Sequence, residues 1–404
     1  MIDFSDPAFQ ADPYPVLNAV RERTPAFRAR KARGVGQDVW FLTRWQDVSA
    51  AQRERRLGRV LGTRITREEL GFTWDFDWTP YFAIEEWSLL MLEPPDHTRI
   101  RRLVQKEFTP RRVEGLRPLC RATAERLAAE CRERGSFDLL ADFAQPYSVS
   151  VIAALLGAPT SDSDRLLDWS HRIVTMYELD TTPEQARAAV AAAQEFGDWC
   201  RELMVGRRRR PRDDLITGLC QAETEEGRLS DAEIISTIVL LLNAGHEATV
   251  NTLGNGVTAL LHHPDQWGRL ASGEVPARAA IEELMRFDPP LQLFERWVLD
   301  DGVALAGREL RRGDKVAMLF GSANRDPRHF ADPDVLDIGR DDRGHVTFGA
   351  GTHHCIGAPL ARVELDEGLG ALVAAMPGIA LVEEPVRNPA FVIHGFRAVS
   401  LTTG

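Results

Sequence analysis

The sequence predicts a mainly α protein with small β-sheets in a single domain. Three observations lead there. Apolar residues recur at helical spacing over most of the chain, and the longest such run extends from Ser230 to about His262. Strand-like segments are short and few, as in Val39-Trp40-Phe41-Leu42-Thr43. No long Ser/Gly/Pro-rich or low-complexity stretch interrupts the 404 residues, so residues 1–404 read as one domain, although a prior of about 150 residues per domain allows two or three.

The elements follow in order. Two Asp-Pro pairs give an extended entry to a first helix over Tyr14 to Arg23, and a short helix over Trp45 to Arg53 follows the strand. Residues 72–87 then carry seven aromatics (Phe72, Trp74, Phe76, Trp78, Tyr81, Phe82 and Trp87) with no clean period. They read as a loop pinned to the core, as the wall of an apolar pocket, or as both. Pro94-Pro95 closes the loop and Asp96 is a candidate N-cap for the next helix. Helical patterns follow over 112–133, 136–157, 162–177 and 183–206. Arg207 to Arg212 is a charge run ending at a Pro and reads as a solvated loop. Ser230-Asp231-Ala232-Glu233 has the pattern of a capping box and opens the longest helix, about 231–262, which Pro264 stops. Phe391 to Phe396 reads as a hairpin.

Composition narrows the function. A net charge of −11 argues against a nucleic-acid binder, and the six-residue basic run alone does not change that. Five Cys without pairing logic fit a reducing compartment. The acidic start Met1-Ile2-Asp3-Phe4-Ser5-Asp6 is no signal peptide, and the longest apolar run, Ile234 to Leu242, is too short for a bilayer. A cytoplasmic protein that engages no membrane is expected.

The chemistry concentrates in Phe348-Gly349-Ala350-Gly351-Thr352-His353-His354-Cys355-Ile356-Gly357. One Cys stands among glycines before a helical stretch from Ala358, a setting that stabilises a thiolate. It could be a nucleophile with His353 or His354 as base, a haem-iron ligand, or a structural thiol. Zinc and iron–sulfur sites need further Cys nearby, and Cys120, Cys131, Cys200 and Cys220 lie far upstream. Elsewhere, His97 and Arg101 are four apart on one helix, and Glu283 and Arg286 are three apart on another; either pair is compatible with an ordinary solvated face. Gly245 and Glu247 sit inside an apolar helix, where a Gly costs about 1 kcal/mol and a buried acid needs a partner or a task.

The pattern Phe-Gly-x-Gly-x-His-x-Cys-x-Gly at 348–357 resembles the haem-binding loop of the cytochrome P-450 family. The resemblance extends from Asp12-Pro13 to the last hairpin, with its motifs in family order. It implies the family's mostly α fold, a triangular helical prism whose long central helix crosses the haem. It implies haem b (iron protoporphyrin IX) with Cys355 as the iron ligand, and Phe348, Gly349 and Gly357 shaping the loop. His97, Arg101, Arg296 and His353 would bind the haem propionates. Glu283 and Arg286 would form a buried structural pair, completed by Gly321-Ser322-Ala323-Asn324-Arg325-Asp326-Pro327. Gly245 would let the long helix bulge into an oxygen pocket, with Ala244 beside substrate. Trp74, Phe76, Trp78, Phe82, Trp87, Leu291, Gln292, Leu293 and Ile393 would line the substrate pocket, while Glu295 has no assigned direction.

The chain departs from the family at one point. There an acid is followed directly by a Thr that relays protons, whereas here Glu247 is followed by Ala248 and then Thr249. One residue is about 100° around a helix, so the expected route uses ordered water, a substrate hydroxyl, or a displaced Thr249. The implied activity is monooxygenation of an apolar small organic molecule with O2, of the kind found in secondary metabolism. No dinucleotide fingerprint, flavin domain or ferredoxin Cys run is present, so a separate ferredoxin and ferredoxin reductase would supply electrons to a monomer with no bound flavin or NAD. Arg101, Arg102, Lys106, Arg111, Arg112 and Arg362 are candidates for a docking patch, or serve solubility alone. The rival readings are a peroxide-driven or non-oxygenating haem-thiolate enzyme, which the missing Thr favours, and a haem sensor.

Overall fold

The structure, a computed structural model, describes residues 2–29, 38–59, 76–106, 108–179, 181–224 and 227–403. Helices dominate and the sheets are small, which is the mainly α class expected. The chain gathers into two compact units. One comprises Met1–Leu57, Arg117–Ser148 and Glu247–Gly404, and the other Gly58–Leu116 and Val149–His246.

In the first unit the strand Val39–Leu42 runs antiparallel to Ala26–Ala29 and parallel to Lys315–Leu319. Leu293–Val298 pairs antiparallel on the far side, with Arg296 opposite Val316. Val316 and Met318 are two apart and share a face, where they join Leu42, Val48 and Val298 in one core. Each such side chain contributes about 1.5–3 kcal/mol on burial. Helix Ala277–Phe287 packs on helix Ala358–Ala375. The C-terminal part of the long helix approaches the first of these so closely that a Cβ on Gly256 would stand 2.8 Å from Leu284 Cδ1.

In the second unit Ser163–Val174 packs on Pro183–Arg209 through aromatics. The rings of Trp169 and Phe196 stack at 5.1 Å, and Trp199 meets Trp169 at 6.2 Å. The capping box at Ser230 forms in both directions: Glu233 N donates to Ser230 Oγ at 3.3 Å and Ser230 N to Glu233 Oε2 at 2.7 Å. Glu233 also pairs with Arg99 on helix Asp96–Gln105. The long helix runs over Asp231–Leu261, and Pro264 opens the next helix.

Several elements differ from the sequence reading. Asp96 is the first helical residue and Pro95 is the cap position. The helix expected from 136 begins later, because Ser136–Asp138 is a strand paired with Ser400–Thr402, a partner invisible to local pattern. A wide π turn, Leu139–Ala144, leads from it into Gln145–Leu156. The arginine run is no solvated loop: the helix continues to Arg209, Arg207 is buried against Asp214 and the Gly157 carbonyl, and Arg208 pairs with Asp231. Residues 391–396 make no ladder; isolated bridges join Leu291 to Ile393 and Arg387 to Phe396. Leu139–Leu156 exceeds Ile234–Leu242 as an apolar stretch and is long enough to cross a bilayer by composition, but 67% of it is buried in the protein.

Candidate active site

The Cys loop belongs to the first unit. Cys355 N donates to Phe348 O at 2.8 Å, closing the loop on itself. Gly349 and Gly351 adopt φ of 68° and 67°, a region that disfavours any residue with a Cβ. A Cβ on Gly351 would also stand 2.8 Å from the Gln52 carbonyl, so a side chain there would push the loop off helix Trp45–Arg53. A Cβ on Gly357 would lie 3.9 Å from Cys355 Sγ. The 18-residue helix Ala358–Ala375 starts just after the sulfur, and the positive end of its dipole favours a thiolate there. The Arg362 guanidinium lies 4.5 Å over the Phe348 ring and holds the loop's first residue.

The other thiols are poorly suited to ligate iron. Cys120, Cys131 and Cys200 are buried, which pushes the first two up to about 12 and about 11 and raises Cys200 further. Cys220 is also raised by burial. Cys355 is half-buried and reachable.

Behind the loop, Arg286 is wholly enclosed. It donates to Glu283 through Nε at 2.6 Å and Nη2 at 2.8 Å, and through Nη1 to the carbonyls of Asn324 and Pro333, each at 2.8 Å. Asn324 reaches on to the loop: its Nδ2 donates to Thr347 Oγ1 at 2.9 Å and its Oδ1 accepts from Val346 N at 2.9 Å. The pair and the Asn phrase thus fix the strand of chain entering Phe348.

The long helix passes residues 243–249 as unbroken α-helix, so the bulge implied at Gly245 does not form. A Cβ there would instead meet Ile152 Cδ1 at 3.3 Å. Ala244 and Ala248, four apart, are both exposed. Burial pushes the Glu247 carboxyl up to about 7. Thr249 is buried, and its Oγ1 donates to Glu364 Oε2 at 3.5 Å. The Thr249 side chain thus reaches another helix, Ala358–Ala375. Glu364 escaped the sequence reading. It lies nine residues past Cys355, and an acid within an apolar helix was the available signal.

The residues expected at the propionates divide between the units. In the second, His97 is buried and Arg101 half-buried, four apart on Asp96–Gln105. In the first, Arg296 is buried on Leu293–Val298 with its guanidinium 4.1 Å over Phe294, and His353 is half-buried in the turn Gly351–His353. Glu295 is held by Lys315 Nζ at 2.7 Å.

Of the expected pocket residues, Trp74 lies outside the described residues. Phe76 stacks on Trp78 at 5.0 Å, Phe82 sits 6.0 Å from Trp78, and both Phe82 and Trp87 are half-buried on or beside helix Thr79–Glu85. Leu291 and Ile393 are paired and half-buried. Gln292 and Leu293 are not lining residues. Gln292 is fully buried, its Nε2 donating to Tyr14 Oη at 3.0 Å and to Pro289 O at 3.1 Å, and Leu293 is sealed in the sheet. Among the docking candidates, Arg362 is committed to Glu282 at 2.6 and 3.0 Å and Arg112 to Asp213 at 3.2 Å.

A reachable sulfur at a helix start, a loop that tolerates no side chain on two of its glycines, and Arg and His residues suited to carboxylates fit a haem-thiolate centre. The chain belongs to the cytochrome P450 family: the Cytochrome P450 family model matches residues 66–271 and 277–375. It is a cytochrome P450 monooxygenase of the haem-thiolate class. It is 35% identical over 382 residues to the polyketide biosynthesis cytochrome P450 PksS of Bacillus subtilis, covering 93% of this chain and 91% of that protein. It is 37% identical over 367 residues to the mycinamicin IV hydroxylase/epoxidase of Micromonospora griseorubida, covering 90% and 87%. The crystal structure of P450BioI, in complex with an acyl carrier protein ligated to hexadec-9Z-enoic acid, superposes with a TM-score of 0.90 at 28% identity, over 98% of this chain and 99% of that one.

Proposed function

We propose that this enzyme inserts one atom of O2 into a small, largely apolar organic molecule of secondary metabolism, working in the cytoplasm as a monomer with haem b and with electrons from a separate ferredoxin and ferredoxin reductase. The observation that carries the reading is Cys355, a reachable sulfur at the head of an 18-residue helix in a chain whose other thiols are raised by burial. When bound through Cys355, the haem supplies O–O cleavage and oxygen insertion, which thiolate donation favours. PksS is named for polyketide biosynthesis, and the P450BioI structure carries a fatty acyl chain, which supports an apolar substrate.

The protein's own residues do the rest. Cys355 is held in place by the bond from its N–H to Phe348 O. His97, Arg101, Arg296 and His353 would hold the haem propionates, a role for which the Arg guanidinium groups are suited. Ala244 and Ala248 leave room on the helix face they share. Glu247, poised near 7, takes up and gives up a proton at neutral pH. From Glu247 the proton travels through ordered water or a substrate hydroxyl, since Ala248 has no hydroxyl and that of Thr249 is turned to Glu364.

Purified protein should show the reduced-CO Soret band of thiolate ligation, and Cys355→Ser should lose it while retaining its helical circular dichroism. Absence of the band from wild type sinks the reading. The lack of a relay hydroxyl favours one second reading, peroxide-driven turnover. Product formed with peroxide alone, at a rate matching that with ferredoxin, reductase and NAD(P)H, would establish it.

A further inference from the structure

The second unit contains a cluster of buried polar side chains that the oxidation chemistry does not use. Glu85 ends the helix Thr79–Glu85 and is buried, and Tyr177 Oη donates to its Oε1 at 3.0 Å. Asn243 and His246, three apart on one face of the long helix, are 1% and 0% exposed. Asn243 sits against the Tyr177 hydroxyl, and among the described residues neither its amide atoms nor the ring nitrogens of His246 complete a well-aligned hydrogen bond. The His171 ring lies 5.7 Å from that of His246.

Other buried polar groups of the same unit differ in part: the Ser170 and Ser236 hydroxyls also lack a partner among the described residues, but each is a single atom. Arg207 is satisfied by Asp214 and Gly157 O, and Glu233 by Arg99 and the Ser230 N–H. Folded proteins pair the great majority of buried polar atoms, and each one left unsatisfied costs about 1–3 kcal/mol. Four such atoms on one helix face, beside a carboxyl and a phenol, are a set of donors and acceptors awaiting a partner. Their chemistry says what kind. Burial lowers His246 to about 3, so it is neutral at physiological pH, and Tyr177 stays protonated. The set offers both kinds of contact: the Glu85 carboxyl, the Asn243 carbonyl and one His246 nitrogen accept, while the Asn243 amide N–H groups and the other His246 nitrogen donate, which suits an O–H or N–H group. Burial raises the Glu85 carboxyl, against the opposing effects of the Tyr177 hydrogen bond and the Arg59 charge.

We propose that Glu85, Tyr177, Asn243 and His246 form a hydrogen-bonding subsite for an O–H or N–H head group carried by the otherwise apolar substrate. The inference rests on the monooxygenase reading and sharpens its substrate class from apolar to amphiphilic. The aromatic side chains of Phe76, Trp78 and Phe82 precede Glu85 closely in the chain and suit the apolar body of such a molecule.

Titrate the holoenzyme with dodecane, dodecan-1-ol and dodecan-1-amine, following the haem absorbance. Wild type should bind a polar-headed probe about tenfold more tightly than the hydrocarbon, the worth of one well-placed hydrogen bond. Asn243→Leu and Tyr177→Phe should reduce that ratio towards one while leaving dodecane binding in place. An alcohol or amine captured by the subsite moves the Soret band to shorter wavelength; an amine that ligates iron moves it to longer wavelength, and the alcohol then decides. Asn243→Leu should also raise the melting temperature of the probe-free protein, since it removes two unsatisfied atoms. Wild type with no preference for a polar head, or variants that keep the preference, overturn the proposal. A normal reduced-CO band in all the proteins would show that such a failure belongs to the subsite and not to the haem reading.

Discussion

Thr249 Oγ1 donates to Glu364 Oε2 at 3.5 Å, joining the long helix to the helix that follows the Cys loop. The contact is at the long end for a hydrogen bond, and the second Glu364 oxygen has no partner among the described residues. It bears on the proposed proton route, because it draws the Thr249 hydroxyl towards Glu364.

A first prediction concerns leakage of hydrogen peroxide during turnover. Thr249→Val should change leakage by less than about twofold, since the hydroxyl it removes is not on the proton route. Ala248→Thr restores the usual family order of acid and Thr but places a hydroxyl where the native route has a methyl. We expect slower product formation without better coupling. A strong rise in coupling with no loss of rate would show that the native route is not adapted to Ala248.

Glu364 itself sets a pH-dependent stability. Burial pushes its carboxyl up to about 8 from an ordinary 4.5, against a smaller lowering by Thr249. Below the ordinary range the folded and unfolded chains both carry the proton. Between about 4.5 and about 8 the folded chain keeps it and the unfolded chain has lost it, so stability falls as pH rises and levels off above that window. Glu364→Gln removes the dependence. Its melting temperature should lie close to that of wild type near pH 5 and clearly above it near pH 8.5. Parallel melting curves for the two proteins across that window contradict the burial argument.

How much could be read in advance follows from where the determinants lie in the chain. The Cys loop was legible because its glycines, sulfur and helix start are contiguous, and Glu283 and Arg286 because they are three apart on one helix. Gln292 was misread because its partner, Tyr14, is 278 positions away in the sequence. Ser136–Asp138 was misread because its strand partner is at the other end of the chain. The Glu85 cluster was hidden for the same reason: its members come from three separate segments, and the aromatics around 72–87 directed attention to apolar walls. Asn243 and His246, three apart within a nearly apolar helix, were the one local signal of it.

The Arg286 network supports a stability prediction. Arg286→Leu leaves Glu283 buried with its main partner gone, although Arg340 Nε remains 3.2 Å away. Breaking a buried pair typically costs about 3–5 kcal/mol. The carbonyls of Asn324 and Pro333 also lose their donor, and with them the anchor of the segment entering the Cys loop. A lower melting temperature and a reduced haem content per chain are expected together. The double variant Glu283→Leu/Arg286→Leu should recover part of the melting temperature, because no lone charge remains, but not the haem content. Full recovery of both would make the pair replaceable by apolar packing and remove its role in positioning the loop.

Glu247 gives the last prediction. Burial holds its carboxyl near 7, so it is largely protonated below that pH and largely ionised above it. A group that delivers protons must carry one when the demand comes, and coupling of electrons to product should therefore decline as pH rises through about 7, with peroxide increasing in step. Glu247→Gln keeps the shape of the side chain and removes the titration. It should lower the product rate by about 10²-fold, the usual worth of a positioned acid, and flatten the pH step in leakage. The measurement pairs product and peroxide yields between pH 6 and pH 8.5, with any substrate found by its low- to high-spin shift. If the step persists in Glu247→Gln, the proton comes from another group, and water reaching the pocket from solvent becomes the route to trace.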